Sequence, residues 1–596
     1  MDEFQRTDEQ LNTAPDPAEY DIDAIVAEFS DPPEDAPDDV KIWTPKTERE
    51  PEPEPETPLE PTIELLPPKR IKPPKTKPPK APRVHHELRV PMRGYNAALA
   101  VAAWVLLAVT AAVAAFSERA YFGIALPKPV AAYVPPAIFA AHCLLALPEL
   151  VRGAISLPRK FTPQSYLLLT VLVLAICGIA GAGAFWAAGS LLLTVSFWGG
   201  YLRLRAERRA QSLPDAETAE GIMMAQGGAI RAEADAQRVA ADTIAENFID
   251  RRLNIFAPIL AALTLVIAAT FALIAERSFL WSWSLLLIGA YPLGAVLSYA
   301  RAFARLSKRL FKSGAAVGGL NGAERLCGSA GVIVTDTDLF PPANVSLNGV
   351  KTLGDADADR ILGYANALLE SAGAETAHLF SDAMEQQRSR RYYANQFLAY
   401  DAGGLGGEIS GDVVLLGGRA FMKTMNVALP QDVRPSSALY LAINGKAAGV
   451  FAVTYRASDA VRSGLAALIE NRAQLTLLSH DVLVTPAMIG AKYGVPQERI
   501  TQPPYRQREA AAAIAEDAKP GAIVWRKGFY PFAIAVAGAR KLRRAARITS
   551  ALSLLGAIIG LLLMTLMTLT NAHSAASVWN LLLYHALWLI PTMLLT

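Results

Sequence analysis

Long apolar runs separated by charged ends set the plan of this chain. Residues 97–116, 130–150, 255–275, 279–300, 548–571 and 577–596 are each long enough to cross a hydrocarbon core of about 30 Å as a helix rising about 1.5 Å per residue. The stretch 165–202 is too long for one span, and Gly178, Gly181 and Gly183 offer a turn in its middle. The pattern predicts eight membrane-spanning helices. Residues 203–254, rich in Ala, Glu, Arg and Gln at helical spacing, predict a short helical loop without strands. The large loop after residue 300 alternates instead. Val332–Val334, Val413–Leu416, Ala438–Ile443, Gly449–Val453 and Leu475–Leu478 read as strands, and Asp357–Ser371, Ser458–Arg472, Ala487–Tyr493 and Gln507–Asp517 as helices, an alternation that predicts an α/β domain with a parallel sheet.

Charge orients these spans, because Lys and Arg beside short loops are retained in the cytoplasm. Lys69 to Arg93 precede span one, Arg152, Arg159 and Lys160 separate spans two and three, Arg203 to Arg209 follow span four, and Arg301 to Arg309 follow span six. The opposite connections carry Arg119, Lys128 and Arg277. Both termini and both large loops are therefore expected in the cytoplasm, in an integral membrane protein of the bacterial plasma membrane.

Composition agrees: 596 residues, 52% hydrophobic and 19% charged, are too apolar for an ordinary soluble multidomain protein. The first apolar run lies too deep for a cleavable signal peptide. Residues 1–66 are dominated by Asp, Glu and Pro and are expected to be disordered, since they offer little apolar surface to offset chain entropy. Residues 67–93, with a Lys-Pro-Pro-Lys pattern, read as an extended basic tether. It suits anionic lipids, a protein partner, or the acidic half of the same tail. A formal net charge of +2 hides this bipolar tail, and no basic-aromatic pattern points to nucleic acid. Cys143, Cys177 and Cys327 form no CxxC or His-rich pattern. His142 beside Cys143 is one soft-metal pair to weigh, but single cysteines in membrane helices are packing residues as a rule, and no metal ligand set is assigned.

Several ordered motifs carry a resemblance. Thr335-Asp336-Thr337-Asp338-Leu339-Phe340 follows the apolar run Val332–Val334; Lys312 to Leu326 leads up to it; His378-Leu379-Phe380-Ser381-Asp382 lies downstream; Gly404-Leu405-Gly406-Gly407 and Leu416-Gly417-Gly418 form a glycine-rich pair; and Leu477-Leu478-Ser479-His480-Asp481 closes a later strand. In this order, over residues 90 to 596, they resemble P-type ATPases of the heavy-metal-transporting branch. The resemblance implies a polytopic α-helical membrane protein of eight spans with a HAD-like α/β domain carrying an inserted α+β nucleotide-binding-like domain. The expected divisions are tail 1–93, spans one to four in 94–202, a vestigial actuator loop 203–254, spans five and six in 255–300, a P-domain in 301–345 and 435–540, an N-domain-like insertion 346–434, and spans seven and eight in 548–596.

Asp336 stands where that family's phosphorylated aspartate stands, and Asp338 completes an Asp-x-Asp pair able in principle to hold Mg²⁺. His378, Gly404, Gly406 and Gly417 fall at nucleotide-binding positions, so ATP and Mg²⁺ are the cofactors the resemblance implies. The departures are many. Thr337 replaces the lysine after the aspartate, no Thr-Gly-Glu of an actuator occurs in 203–254, and Val524-Trp525-Arg526-Lys527-Gly528 stands where the metal-holding Gly-Asp-Gly loop is expected, its two cations repelling a metal. Tyr455-Arg456-Ala457-Ser458 replaces Asp-Pro-x-Arg, and a cation for the phosphate falls within Tyr505-Arg506-Gln507-Arg508. Tyr291-Pro292-Leu293 keeps a kink in span six without ion-binding thiolates. Three readings follow: a catalytically degenerate P-type ATPase-like scaffold, sensor or regulatory protein, which the number of lost motifs favours; a membrane-anchored HAD-type phosphatase or phosphotransferase using Asp336 and Asp338; and an ATP-driven cation transporter with an atypical site.

Overall fold

The computed structural model describes residues 95–118, 127–181, 185–212, 219–328, 331–401, 403–430, 438–572 and 575–596; the tail 1–93 lies outside them. Helices α1 (Ala97–Glu118), α2 (Lys128–Leu145), α3 (Leu147–Ser156), α4 (Pro163–Ile179) and α5 (Trp186–Gln211) come first. A 68° bend separates α2 from α3. The turn expected within 165–202 falls after α4, where Gly181 takes a left-handed φ of +66°. Later come α7 (Phe248–Ile274), α8 (Phe279–Gly289), α9 (Leu293–Ser313), α18 (Phe529–Leu569) and α19 (Val578–Leu595), with the elements between them described below. Five helical segments are long and apolar enough to cross a membrane, six when α2 and α3 form one bent span. α4 has 17 residues, and α5 ends in Arg203, Arg205, Arg208 and Arg209, so length and apolarity alone do not reach eight.

Residues 203–254 are not wholly helical. They hold strands β1 (Glu220–Ala225) and β2 (Gly228–Glu233), a hairpin, followed by the short helix α6 (Ala236–Ile244). The part of the expected helical loop from 228 to 233 is therefore strand. The cause is local: Gln226-Gly227-Gly228 is a tight turn between two six-residue runs, and Gly228 has φ +148°, a conformation L side chains rarely adopt.

The large loop contributes β3 (Ala315–Val317), α10 (Gly319–Arg325), β4 (Gly331–Thr335), the one-turn α11 (Asp336–Leu339), β5 (Val345–Thr352), α12 (Ala358–Ala372), α13 (Ala377–Gln387), β6 (Asn395–Tyr400), β7 (Gly404–Ile409), β8 (Asp412–Gly417) and α14 (Arg419–Thr424). It continues with β9 (Ala438–Ile443), β10 (Lys446–Tyr455), α15 (Asp459–Glu470), β11 (Leu475–Leu478), α16 (Pro486–Tyr493), β12 (Ile500–Thr501), α17 (Arg508–Ala512) and β13 (Ala522–Val524). Two sheets result. One has the order β12-β11-β4-β2-β1-β13-β3 and is parallel from β12 through β2 and antiparallel beyond. The parallel sheet read from the alternation is thus half of a mixed one. The other, β5-β10-β9-β8-β7-β6, is antiparallel throughout.

That second sheet moves a boundary. β9 and β10 pair with β8 and β5, so the inserted unit extends to Tyr455 and not to residue 434. Asn444 and Gly445, both at positive φ, turn the β9–β10 hairpin, and the unbroken apolar run of β9 is that of a central strand buried on both faces. α12 and α13 cover one face through Leu368, Phe380 and Phe451, and α14 covers the other through Phe421 and Tyr440. α18, 41 residues and about 60 Å long, packs Phe532, Ala533 and Val536 into the core of the first sheet before running on as an apolar helix.

Candidate functional site

Asp336 and Asp338 lie at the carboxyl end of β4, where parallel α/β sheets present their ligands. Thr335 caps α11: its Oγ1 accepts the Asp338 N–H at 3.3 Å, and its own N–H donates to Asp338 Oδ2 at 3.1 Å, a capping box. The other Asp338 oxygen, Oδ1, takes the Arg231 guanidinium of β2. Arg231 lies over the Phe532 ring at 5.7 Å and also reaches Glu220 at 3.6 Å. Asp338 is 6% exposed. Burial pushes its carboxyl above the usual range, and Arg231 pulls it back.

Asp336 is less enclosed. Oδ1 accepts the Thr337 N–H at 3.1 Å, and Oδ2 accepts the Ser479 hydroxyl at 3.4 Å from the end of β11. Arg508 donates to the Ser479 carbonyl, and burial lowers its pKa while Tyr505, Asp401 and Asp336 raise it. Of the Tyr505–Arg508 segment, it is Arg508 that meets Ser479. Asp481, buried nearby, accepts the Tyr455 hydroxyl, so Tyr455 seals against this carboxylate where Asp-Pro-x-Arg was expected. Burial pushes the Asp481 carboxyl up to about 6 against the Tyr455 bond, which favours the ionised form.

This shift sets a pH dependence. Folded Asp481 holds its proton more tightly than in the unfolded chain, so its contribution to stability is complete below about pH 4 and is lost as pH rises through about 6. Asp481→Asn is expected to remove roughly 2–3 kcal/mol of that slope between pH 4 and pH 7. Urea melts of both proteins at the two pH values measure it, and equal slopes would refute the assignment.

These residues do not fit Mg²⁺. Both Asp338 oxygens are engaged, one by a guanidinium and one by a backbone N–H. No group of three or more His, Cys, Asp or Glu side chains able to hold a metal converges among the described residues. The gap in front of Asp336, bounded by Glu375, His378, Tyr455 and Asp481, measures about 10 Å³, room for about one water. Arg526 and Lys527 are not what excludes the metal. Trp525 and Arg526 N–H groups bond the Gly314 carbonyl, and β13 is separated from β4 by the whole β1–β2 hairpin. The cation on Asp338 is Arg231, which no sequence motif marked.

The nucleotide candidates are not brought together. His378 opens α13, with Nδ1 on the Glu375 carbonyl, on the sheet face covered by α12 and α13. Gly404 and Gly417 turn to the other face, where an added Cβ would lie 2.2 and 2.4 Å from the Phe421 ring, and at Gly406 it would lie 2.9 Å from Tyr400. The glycines make room for aromatic rings of the protein itself, and Gly404 also borders a cavity of about 340 Å³ together with Tyr400, Tyr505 and Arg508.

The kink is likewise satisfied from within. Between α8 and α9, Ala290, Tyr291 and Pro292 break the helical ladder. The Tyr166 hydroxyl donates to the Leu287 carbonyl at 3.1 Å and the Tyr584 hydroxyl to the Gly289 carbonyl at 3.2 Å. Tyr291 itself is 3% exposed and shares a hydrogen bond with Ser196 at 3.1 Å. Leu293 starts α9, buried. Carbonyls that a cation would need already carry phenol donors.

No family model and no curated protein matches the chain. Among solved structures it is similar to a zinc-transporting PIB-type ATPase in the E2.Pi state, with 13% identity over 84% of this chain and 98% of that one, at a TM-score of 0.40. A second structure of a zinc-transporting PIB-type ATPase, in another E2 state, matches at 13% identity over 82% of this chain and 98% of that one, at a TM-score of 0.38. The N-domain of HMA6, a copper-transporting P-type ATPase, matches 18% of this chain and 98% of its own length at 13% identity and a TM-score of 0.16.

Proposed function

We propose that the chain is a P-type ATPase-like integral membrane protein that does not transfer phosphoryl groups and acts as a scaffold, sensor or regulatory subunit. The carrying observation is the Arg231–Asp338 pair: a hairpin from the loop after α5 occupies the place beside β4 and sets a guanidinium on the second carboxylate of the Asp-x-Asp pair. Phosphoryl transfer to an aspartate relies on a divalent cation held by carboxylates, and a fixed guanidinium on one of them opposes it. The engaged carbonyls of the kink support the same reading for transport. With α4 and α5 counted, the membrane part has eight spans, with both termini and the α/β units in the cytoplasm. The α/β unit on β4 serves as a HAD-like P-domain and the β5–β10 unit as its N-domain-like insertion.

One observation favours a second reading. Asp336, Ser479 and Arg508 are a nucleophile, a hydroxyl and a cation of the kind a HAD-type phosphatase uses. Release of phosphate from ATP and from p-nitrophenyl phosphate separates the two. The purified chain with Mg²⁺ is expected to match Asp336→Asn on both substrates; p-nitrophenyl phosphate turnover lost in Asp336→Asn would establish the phosphatase.

A further inference from the structure

Where α18 passes from the α/β unit into its apolar half, Arg472, Arg540, Arg543, Arg544 and Arg547 line a cavity of about 370 Å³. We propose that this cavity binds the phosphate of an anionic membrane lipid. Arg540, Arg543, Arg544 and Arg547 follow the i, i+3, i+4, i+7 spacing of one helix face and span about 10 Å along the axis. Two are held from below: Arg543 Nη1 donates to the Cys327 carbonyl at 3.0 Å, and Arg540 Nη1 to the Arg472 carbonyl at 3.5 Å. Arg547 pairs with Glu324 at 3.4 Å and lies over the Phe248 ring at 5.6 Å. The Nε of Arg543 is buried with no hydrogen-bond partner among the described residues. An orphaned guanidinium N–H beside further guanidiniums is a site for a multivalent oxyanion, since phosphate takes such forks two donors at a time.

The helix surface says where that phosphate comes from. Arg544 is exposed and heads a stripe that continues at about 100° per residue through Ile548, Leu555, Ile559, Leu562 and Leu566, all exposed and all apolar. That stripe is the track an acyl chain follows, and the arginines stand within one to two turns of its start. Headgroups occupy about 5–7 Å beyond the hydrocarbon edge, so a phosphate at that level falls among Arg540 to Arg547. A free phosphate gains nothing from the stripe, whereas a lipid engages both halves.

The test uses the full-length chain in nonionic detergent, with lipid retention followed by native mass spectrometry. Dioleoyl phosphatidylglycerol is expected to be retained over dioleoyl phosphatidylcholine, with apparent affinity about 10-fold weaker in Arg543→Gln and about 3-fold weaker in Arg544→Gln. Arg544 is exposed, so its variant decides the matter should Arg543→Gln fail to fold. Equal retention of the two lipids, or unchanged phosphatidylglycerol affinity in Arg544→Gln, would overturn the proposal. So would inorganic phosphate raising the melting temperature as much as phosphatidylglycerol at equal phosphate concentration, which would assign the site to the free anion.

Discussion

Arg231→Met is expected to lower the stability of the α/β unit by about 3 kcal/mol, because it leaves Asp338 buried with its charge unpaired. For a unit of this size that is roughly 6–12 °C in melting temperature. Methionine keeps the contact with Phe532, so the loss reports charge and not packing. Asp338→Asn retains an acceptor for the Thr335 N–H and removes the charge Arg231 was holding. The double variant is therefore expected to recover most of the loss, with a coupling of about 2 kcal/mol between the two positions in a double-mutant cycle. Additive losses would mean that the pair is incidental and that the hairpin holds β4 by other contacts.

The second large effect lies at the seam itself. β2 joins β4 through Gly228 opposite Gly331 and Ala229 opposite Val332, a short parallel junction. A Cβ on Gly228 would stand 2.6 Å from the Gly331 carbonyl group, backbone against backbone, at a φ of +148°. Neither clash nor strain can relax through a side chain. Gly228→Val is expected to cost about 4 kcal/mol and to unseat the turn that Thr476 Oγ1 holds through the Gly227 carbonyl at 2.8 Å. In that background Arg231→Met adds little, since its ion pair has already parted. Limited proteolysis between residues 219 and 236 reads the release directly, and a hairpin as protected as in the parent protein would refute the seam.

Much of this site is legible along the chain, and what is not has a physical reason. Arg508 opens the short helix α17, whereas Asp336 and Ser479 follow β4 and β11, and both strands announce themselves by their Val, Ile and Leu content. The strand of Arg231 does not, because Gly-Ala-Ile-Arg-Ala-Glu carries the Ala, Glu and Arg of a helix former. The local signal of the hairpin is the Gln226-Gly227-Gly228 turn between runs of equal length. Arg526 and Lys527 misled for the opposite reason: their place in the order of motifs resembled the metal loop, yet β13 runs antiparallel to β1 and β3, well away from β4. The glycines of β7 and β8 are read from sequence as openness, whereas the rings of Phe421 and Tyr400 that fill them come from residues whose facing only the folded sheet determines. Pro292 stands at the break between α8 and α9, and the tyrosines whose hydroxyls meet the carbonyls there lie more than 100 residues away in α4 and α19.

The proposal that Asp336 does not accept a phosphoryl group is tested most directly by acid-quenching the purified chain after incubation with γ-labelled ATP and Mg²⁺, beside Asp336→Asn. The account predicts no acid-stable label above that of the variant. A hydroxylamine-sensitive label present in the parent protein and absent in Asp336→Asn would contradict it.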